Sequence, residues 1–339
     1  MAISAKDLAQ KLDISAATVS MVLNHKEGIS PATRDRVLDG ARKYGYDLSK
    51  YYAYTEESYS VGFVNYKKTG HVIADTPFFS ELTEGISNAC KDNRMNLSVH
   101  YIYGTDSVNE QLSAIVDNNY SCIILLATEM NISDFEPFYQ LNCPVIVLDC
   151  YYDEIQLDCV LINNIRGAFI ATSHLIQQGF HNIGYLKSND RIANFEERAD
   201  GYYKALRYHN LEHPSCYVRE LEPSMEGAYH DMKEYLKENP PLAEAYFVDN
   251  DLIAAGALRA LQESGIQVPG DVSLIGFDNI PICSFLSPAL STMHVDKNAL
   301  GRFAVDLALQ RLTGPSSPAK VKLEVSPSLV TRDSVALHS

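Results

Sequence analysis

The sequence predicts an α/β protein in which an N-terminal helix-turn-helix three-helix head precedes two doubly wound parallel-sheet lobes. Two patterns carry that prediction. Three short helical stripes, each opened by a serine, fill the first fifty residues, and from Val61 onward short β-branched runs alternate with amphipathic helical stretches. At 339 residues, 46 % hydrophobic and 21 % charged, the chain is long and apolar enough for two or more domains with sizeable cores.

In the head, Ser4 precedes Ala5 with Asp7 three positions on, a capping-box pattern, and Leu8, Ala9 and Leu12 follow at helical spacing. Asp13-Ile14-Ser15 reads as a turn in which Ser15 caps a second helix, with Val19, Val22 and Leu23 on its buried side. Ser30-Pro31 opens a third helix, Val37, Leu38, Ala41 and Tyr44 form its apolar face, and Gly45 stops it. The outward face of the second helix is small, so it can enter the major groove of double-stranded DNA without obstruction. Thr18, Ser20 and Asn24 are expected on phosphate oxygens and Ala16, Ala17 and Met21 on base edges, with Ser15, His25 and Lys26 completing the DNA-facing set. A three-helix protein-interaction module is the plainer alternative.

Charge supports the DNA reading. The net charge is −15, yet residues 1–50 carry eight Lys/Arg against six Asp/Glu, a net of +2 that leaves −17 for the rest. A mildly basic head on an acidic body offers a polyanion one face and repels it elsewhere. No run of eighteen apolar residues occurs, and Lys6, Asp7 and Lys11 interrupt the start where an export signal needs apolar residues, so a cytoplasmic protein with no membrane contact is expected. The seven cysteines are widely spaced, without a C-x-x-C pair, and read as buried thiols.

In the body, strand-like runs lie at 61–64, 97–102, 122–127, 144–149, 159–162, 182–186, 216–221, 245–248 and 273–277, with helical stretches such as 78–93, 166–179, 195–209, 225–238 and 251–265 between them. So many buried strands favour two consecutive lobes over one oversized sheet. Ligands of such sheets bind beyond the carboxyl ends of the strands, and two lobes can face those ends across a cleft. Asp75 to Phe79, Asp149, Asp249 to Asp251, Asp278 and Asn279 follow strands in this way, and Asp251 reads as a helix cap.

Residues Ile14 to Asn24 match, nearly residue for residue, the pattern Val-Ser, two variable residues, Thr-Val-Ser-Arg-Val-Leu-Asn, and so resemble the DNA-binding head of the lactose-repressor/galactose-repressor (LacI/GalR) family. TPFFSEL, NFEERADGYYKAL, VDNDLIAAGALRAL, VPGDVSLIGFDNIP and LSPALSTMHV resemble the family's sensor half, itself similar to periplasmic sugar-binding proteins, so that the likeness runs from Ile3 to Val335. It implies a head at 1–46, a hinge at 47–60 and a two-lobed body at 61–339, with about 61–161 and 295–325 in one lobe and about 162–292 and 326–339 in the other. It also implies a small-molecule effector held by Asp75, Phe78, Phe79, Asp149, Arg198, Leu221, Asn250 and Asp278, and no cofactor. Phe78 and Phe79 are then expected to stack on the effector, and Arg198 and Asp278 to bind its hydroxyls. A sugar is the first expectation and a purine the second, because purine-sensing members carry an arginine where Ile192 stands. Two departures alter the outlook: Met21 replaces an arginine able to pair with guanine, and the linker DLSKYYAYTEESYS lacks the leucine and proline of the usual hinge helix.

A single head of about +2 grips few phosphates, so two heads on a palindromic operator are expected, held in a homodimer by the lobes. The FFSELTEGISNA segment and the later helix carrying Leu300, Phe303, Ala304, Leu307 and Leu312 are the expected contact, unless that stripe only covers its own sheet. No phosphate-binding loop, nucleophile elbow or H-E-x-x-H spacing occurs, and Glu196-Glu197 sit side by side on a helix expected to be solvated, so a repressor that binds and releases its ligand is favoured over an enzyme. A cytosolic binding protein of the same two lobes, without DNA function, is the alternative. Whether effector releases or promotes DNA binding is left open.

Overall fold

A computed structural model describes residues 3–24, 26, 28–48, 58–70, 72–73, 76–212, 215–315 and 317–337. The chain divides into two compact units, Met1–Tyr59 with Lys91–Asn96, and Ser60–Cys90 with Leu97–Ser339.

The head holds α1 (Ala5–Leu12), α2 (Ala16–Leu23) and α3 (Pro31–Tyr44). Each start is set by a serine: the Ser4 hydroxyl accepts from the Asp7 amide while Asp7 accepts from the Ser4 amide, and the Ser15 and Ser30 hydroxyls accept from the Thr18 and Thr33 amides. Gly45 ends α3 at φ 71°, a left-handed conformation that suits glycine. Leu8, Val19, Val22, Val37 and Ala41 form the core, and Leu48 joins it, so the head reaches two residues beyond the expected boundary at 46. Residues 49–57, the greater part of the expected hinge, lie outside the described residues.

The body is built on two six-stranded sheets. The first contains β1 (Ser60–Lys67), β2 (Asn96–Tyr103), β3 (Cys122–Leu126), β4 (Val145–Leu148), β5 (Asp158–Ile162) and a late β11 (Lys322–Val325), in the order β11-β5-β4-β3-β1-β2. The second contains β6 (Ile183–Ser188), β7 (Val218–Leu221), β8 (Ala245–Val248), β9 (Ser273–Asp278), β10 (Ser291–His294) and β12 (Ser328–Val330), in the order β12-β10-β9-β8-β6-β7. Central strands β3, β4, β5 and β8 are buried throughout, as continuous apolar runs between two helical layers must be. The second sheet is not wholly parallel, because β12 returns antiparallel to β10. The run expected to be strand from Cys216 begins only at Val218, after a 3-10 turn at Ser215–Tyr217.

Helices α4 (Pro77–Asp92), α5 (Val108–Val116) and α10 (Lys297–Thr313) accompany the first sheet, and α6 (Asn164–Gln177), α7 (Ala193–Tyr208), α8 (Met225–Lys237) and α9 (Asp251–Glu263) the second. The chain therefore passes between lobes after β5, after β10 and after β11.

One expectation is corrected here. A Cβ on Gly85 of α4 would lie 2.8 Å from the Asn298 backbone, and one on Gly301 of α10 would lie 2.7 Å from the Ile86 amide, so these helices pack backbone to backbone within one chain. Leu300, Ala304 and Leu307 are buried in that packing and against β3, β4 and β5. These three residues of the stripe predicted for a dimer contact cover their own sheet, whereas Phe303 and Leu312 are half-buried.

Candidate functional site

The carboxyl ends of both sheets line one cleft, whose cavity of about 40 Å3 is far smaller than the usual small-molecule site. From the first lobe come Val72, Thr76, Phe78, Phe79, Thr128 and Asp149; from the second come Ile192, Asn194, Phe195, Arg198, Asn250, Leu252, Asp278 and Ile280.

Asp149 ends β4 in a left-handed conformation, φ 63°, which turns its side chain inward. One carboxylate oxygen accepts from the Thr128 hydroxyl at 2.7 Å; the other, Oδ1, is buried and has no partner in the protein. Burial pushes its pKa up to about 7, against the opposing pull of the Thr128 bond and of Arg198. Phe78 and Phe79 open α4 and meet edge to face, their centres 5.0 Å apart.

Arg198 projects from α7 with almost no exposure. Its Nε donates to Asn164 Oδ1 at 2.9 Å, Nη1 to the Asp249 carbonyl at 2.5 Å and Nη2 to Asp278 Oδ1 at 3.1 Å, while the guanidinium lies 3.9 Å from the Phe277 ring centre. Asp278, at φ 105°, has its carboxyl pKa raised by burial even with Arg198 and Lys297 beside it.

Of the residues expected around an effector, Phe78, Phe79, Asp149, Arg198, Asn250 and Asp278 meet at this cavity. Asn250 is there under constraint, because its Oδ1 caps α9 by accepting from the Ile253 amide at 2.8 Å. Asp251, read as that cap, instead accepts from the Thr292 hydroxyl at 2.6 Å and the Ile280 amide at 2.9 Å; the cap lies one residue earlier. Asp249 is likewise engaged, by the Tyr185 hydroxyl and the Ser188 amide. Leu221 is buried in β7 and is not among the lining residues, and Asp75 lies outside the described residues. Of the pair expected on a solvated face, Glu196 is exposed and Glu197 is half-buried: Glu197 accepts from Asn164 Nδ2 at 2.9 Å, and burial raises its pKa.

Sequence reasoning missed Thr128, Asn194 and Phe195 as lining residues. Asn194 and Phe195 precede Arg198 by four and three positions, the same face of α7, so helical spacing held the signal. It also missed Glu129, whose buried carboxylate accepts from the amides of Lys68, Thr69 and Gly70 on one oxygen and of Val72 and Ile73 on the other, at 2.8–3.1 Å. Nothing in the sequence distinguishes Glu129 from any polar residue after a strand.

On the head, Ala16, Ala17, Ser20, Asn24 and Lys26 are exposed, and Thr18 and Met21 are half-buried. The Ser15 hydroxyl is engaged as the cap and shares a 2.8 Å bond with Thr18 Oγ1, while Asn24 Nδ2 donates to the Ser20 carbonyl at 2.8 Å. The polar groups of this face are thus pre-set by bonds to one another, and His25 lies outside the described residues. Among the described residues no cluster of His, Cys, Asp and Glu suits a metal ion, and no helix is long and apolar enough to cross a membrane. All seven cysteines are free thiols, and Cys216 is exposed.

Residues 4–48 match the model for bacterial regulatory proteins of the lacI family, and residues 172–335 the model for a periplasmic binding protein-like domain. The chain is 28 % identical to the HTH-type transcriptional repressor PurR of Aliivibrio salmonicida, over 97 % of this chain and 98 % of that one. It is 28 % identical to the ribose operon repressor of Haemophilus influenzae, over 97 % and 98 %. A lac repressor dimer bound to operator and an anti-inducer superposes with a TM-score of 0.72 at 23 % identity, covering 99 % of this chain and 100 % of that one.

Proposed function

The chain belongs to the LacI/GalR family of transcriptional regulators, and from that premise we propose that it is a repressor that reads operator DNA through α2 and is switched by a small polyhydroxylated effector in the cleft. The observation that carries the effector reading is the buried, unpartnered Asp149 Oδ1 facing a cavity walled by Phe78 and Phe79. A buried acceptor without a donor is costly, and a ligand hydroxyl supplies the missing bond while an apolar sugar face lies on the rings. A sugar is therefore the first candidate, in keeping with the ribose operon repressor among the relatives. A purine is the second, favoured by the two adjacent aromatics and disfavoured by Ile192 on the cavity wall.

The cleft binds and releases its ligand. Asp249 and Asp251 are engaged by protein donors. The protein acts as a homodimer in the cytoplasm. We assign its contact to the outer face of β2, where Val99, Tyr101 and Tyr103 alternate in register and are exposed on an edge strand. A thermal-shift screen against D-ribose, D-galactose, a sugar phosphate and hypoxanthine, followed by gel shifts on the gene's upstream region with and without each hit, tests the reading. It expects a stabilising sugar that changes operator retention and so reveals the sign of control; operator binding that no stabilising ligand alters would refute it.

A further inference from the structure

Lys297 is the first residue of α10, where its cation adds to the positive end of the helix and costs stability locally. It is also only 2 % exposed, and a lysine is seldom retained at such depth unless its ammonium is fully paired. Its Nζ donates to the carbonyl of Asp278 at 2.8 Å and to that of Asn279 at 3.2 Å, and lies 3.4 Å from Glu81 Oε2. Two carbonyl oxygens thus accept from the ammonium and one carboxylate oxygen pairs with its charge. Two of them belong to the other lobe: Lys297 and Glu81 accompany the first sheet, whereas residues 278 and 279 end β9 of the second.

The receiving turn is built for this contact. Asp278 and Asn279 are consecutive left-handed residues, φ 105° and 52°, a conformation that costs energy in residues other than glycine. It aims both carbonyls at the same cation. The Asn279 side chain is held from behind by Arg332 Nη2 at 2.7 Å and His294 Nδ1 at 3.2 Å. The Asp278 carboxylate, on the same turn, is the one that binds Arg198 at the cavity. Anything that moves this turn moves the Arg198–Asp278 pair.

We propose that Lys297 is a positioning residue of the effector site, an interlobe latch that fixes the 278–279 turn from the opposite lobe and biases the cleft toward closure before any effector is bound. The proposal rests on the cleft being the effector site, and its physical content is a shift in the effector-free populations of open and closed lobes.

The test measures the distance between nitroxides at Asn109→Cys in the first lobe and Glu238→Cys in the second, on a Cys216→Ser background, in full-length protein diluted with unlabelled chain and without effector. Lys297→Gln should shift the distribution to longer and broader distances, Lys297→Arg should restore the original, and Glu81→Gln, on the exposed side of the contact, should broaden it less. Unchanged distributions in Lys297→Gln and Glu81→Gln overturn the proposal; if Lys297→Gln does not fold, Glu81→Gln decides alone. A parental protein whose melting responds to none of the sugars or hypoxanthine, alongside a broadened Lys297→Gln distribution, leaves the latch standing and removes the effector reading.

Discussion

Arg198 and Asp278 form a nearly buried ion pair at 3.1 Å, and the same guanidinium also holds Asn164 and the Asp249 carbonyl, so one side chain joins four elements of the second lobe beneath the cavity. Removing it leaves a carboxylate and a carbonyl buried without donors, which costs about 3 kcal/mol or more. Arg198→Ala should therefore lower the melting temperature and abolish the effector response in gel shifts, while effector-free operator binding persists because the head carries it. Loss of both together in a folded variant would show that Arg198 serves the fold and not the effector.

Asp149 gives the site a pH dependence with a defined sign. Burial raises its pKa to about 7, and a ligand hydroxyl donating to Oδ1 needs the ionised form. Effector affinity should then rise with pH by at most about tenfold per unit below 7 and level off above it. Asp149→Asn should bind more weakly and show a flat profile between pH 6 and 8 by calorimetry. Affinity that falls as pH rises would mean that the protonated acid is the donor.

What the sequence made legible follows from how local each signal is. The serine caps of α1 to α3 and the continuous apolar runs of β3, β4 and β8 are written in adjacent residues. Strands β10, β11 and β12 are short and polar, as in STMH and KLEV, and exist because neighbouring strands supply their ladders. Asp251 was misread because cap chemistry fits Asn250 and Asp251 equally in one dimension. Lys297 offered a warning in sequence, a cation at the first position of a helix, though its partners lie in the other lobe.

Met21 should govern operator choice. It lies half-buried on α2 beside exposed Ala17 and Ser20, and a thioether cannot make the paired hydrogen bonds that arginine makes with guanine. Binding-site selection should return half-sites without the guanine-centred step, and Met21→Arg should restore preference for guanine there by about 1–3 kcal/mol. A guanine-centred consensus for the parental protein would contradict this assignment of the face.

The β2 stripe should hold the dimer. Tyr101 is 53 % exposed, with Lys67 over its ring at 5.2 Å, and Val99 and Tyr103 flank it on the same face. Tyr101→Asp places a charge in that apolar contact and should convert the sedimenting species from dimer to monomer at micromolar concentration. Operator affinity should fall with it, since one head grips too few phosphates. A variant that sediments as a dimer would place the interface elsewhere.

Glu129 should control the wall of the cavity that carries Val72 and Thr76. Its two oxygens accept five main-chain amides from residues 68–73, an anion held by a concave run of N–H groups. Glutamine has the same shape but presents an NH2 to three of those amides, donor against donor. If the carboxylate organises the loop, Glu129→Gln should lose amide-exchange protection at Lys68, Thr69 and Gly70 nearly as fully as Glu129→Ala, with destabilisation of about 2–4 kcal/mol in either variant. If packing alone matters, glutamine should behave like the parental residue. Exchange rates at these amides, read against those of Val72 and Ile73, separate the two outcomes, because the glutamine carbonyl still accepts from the latter pair.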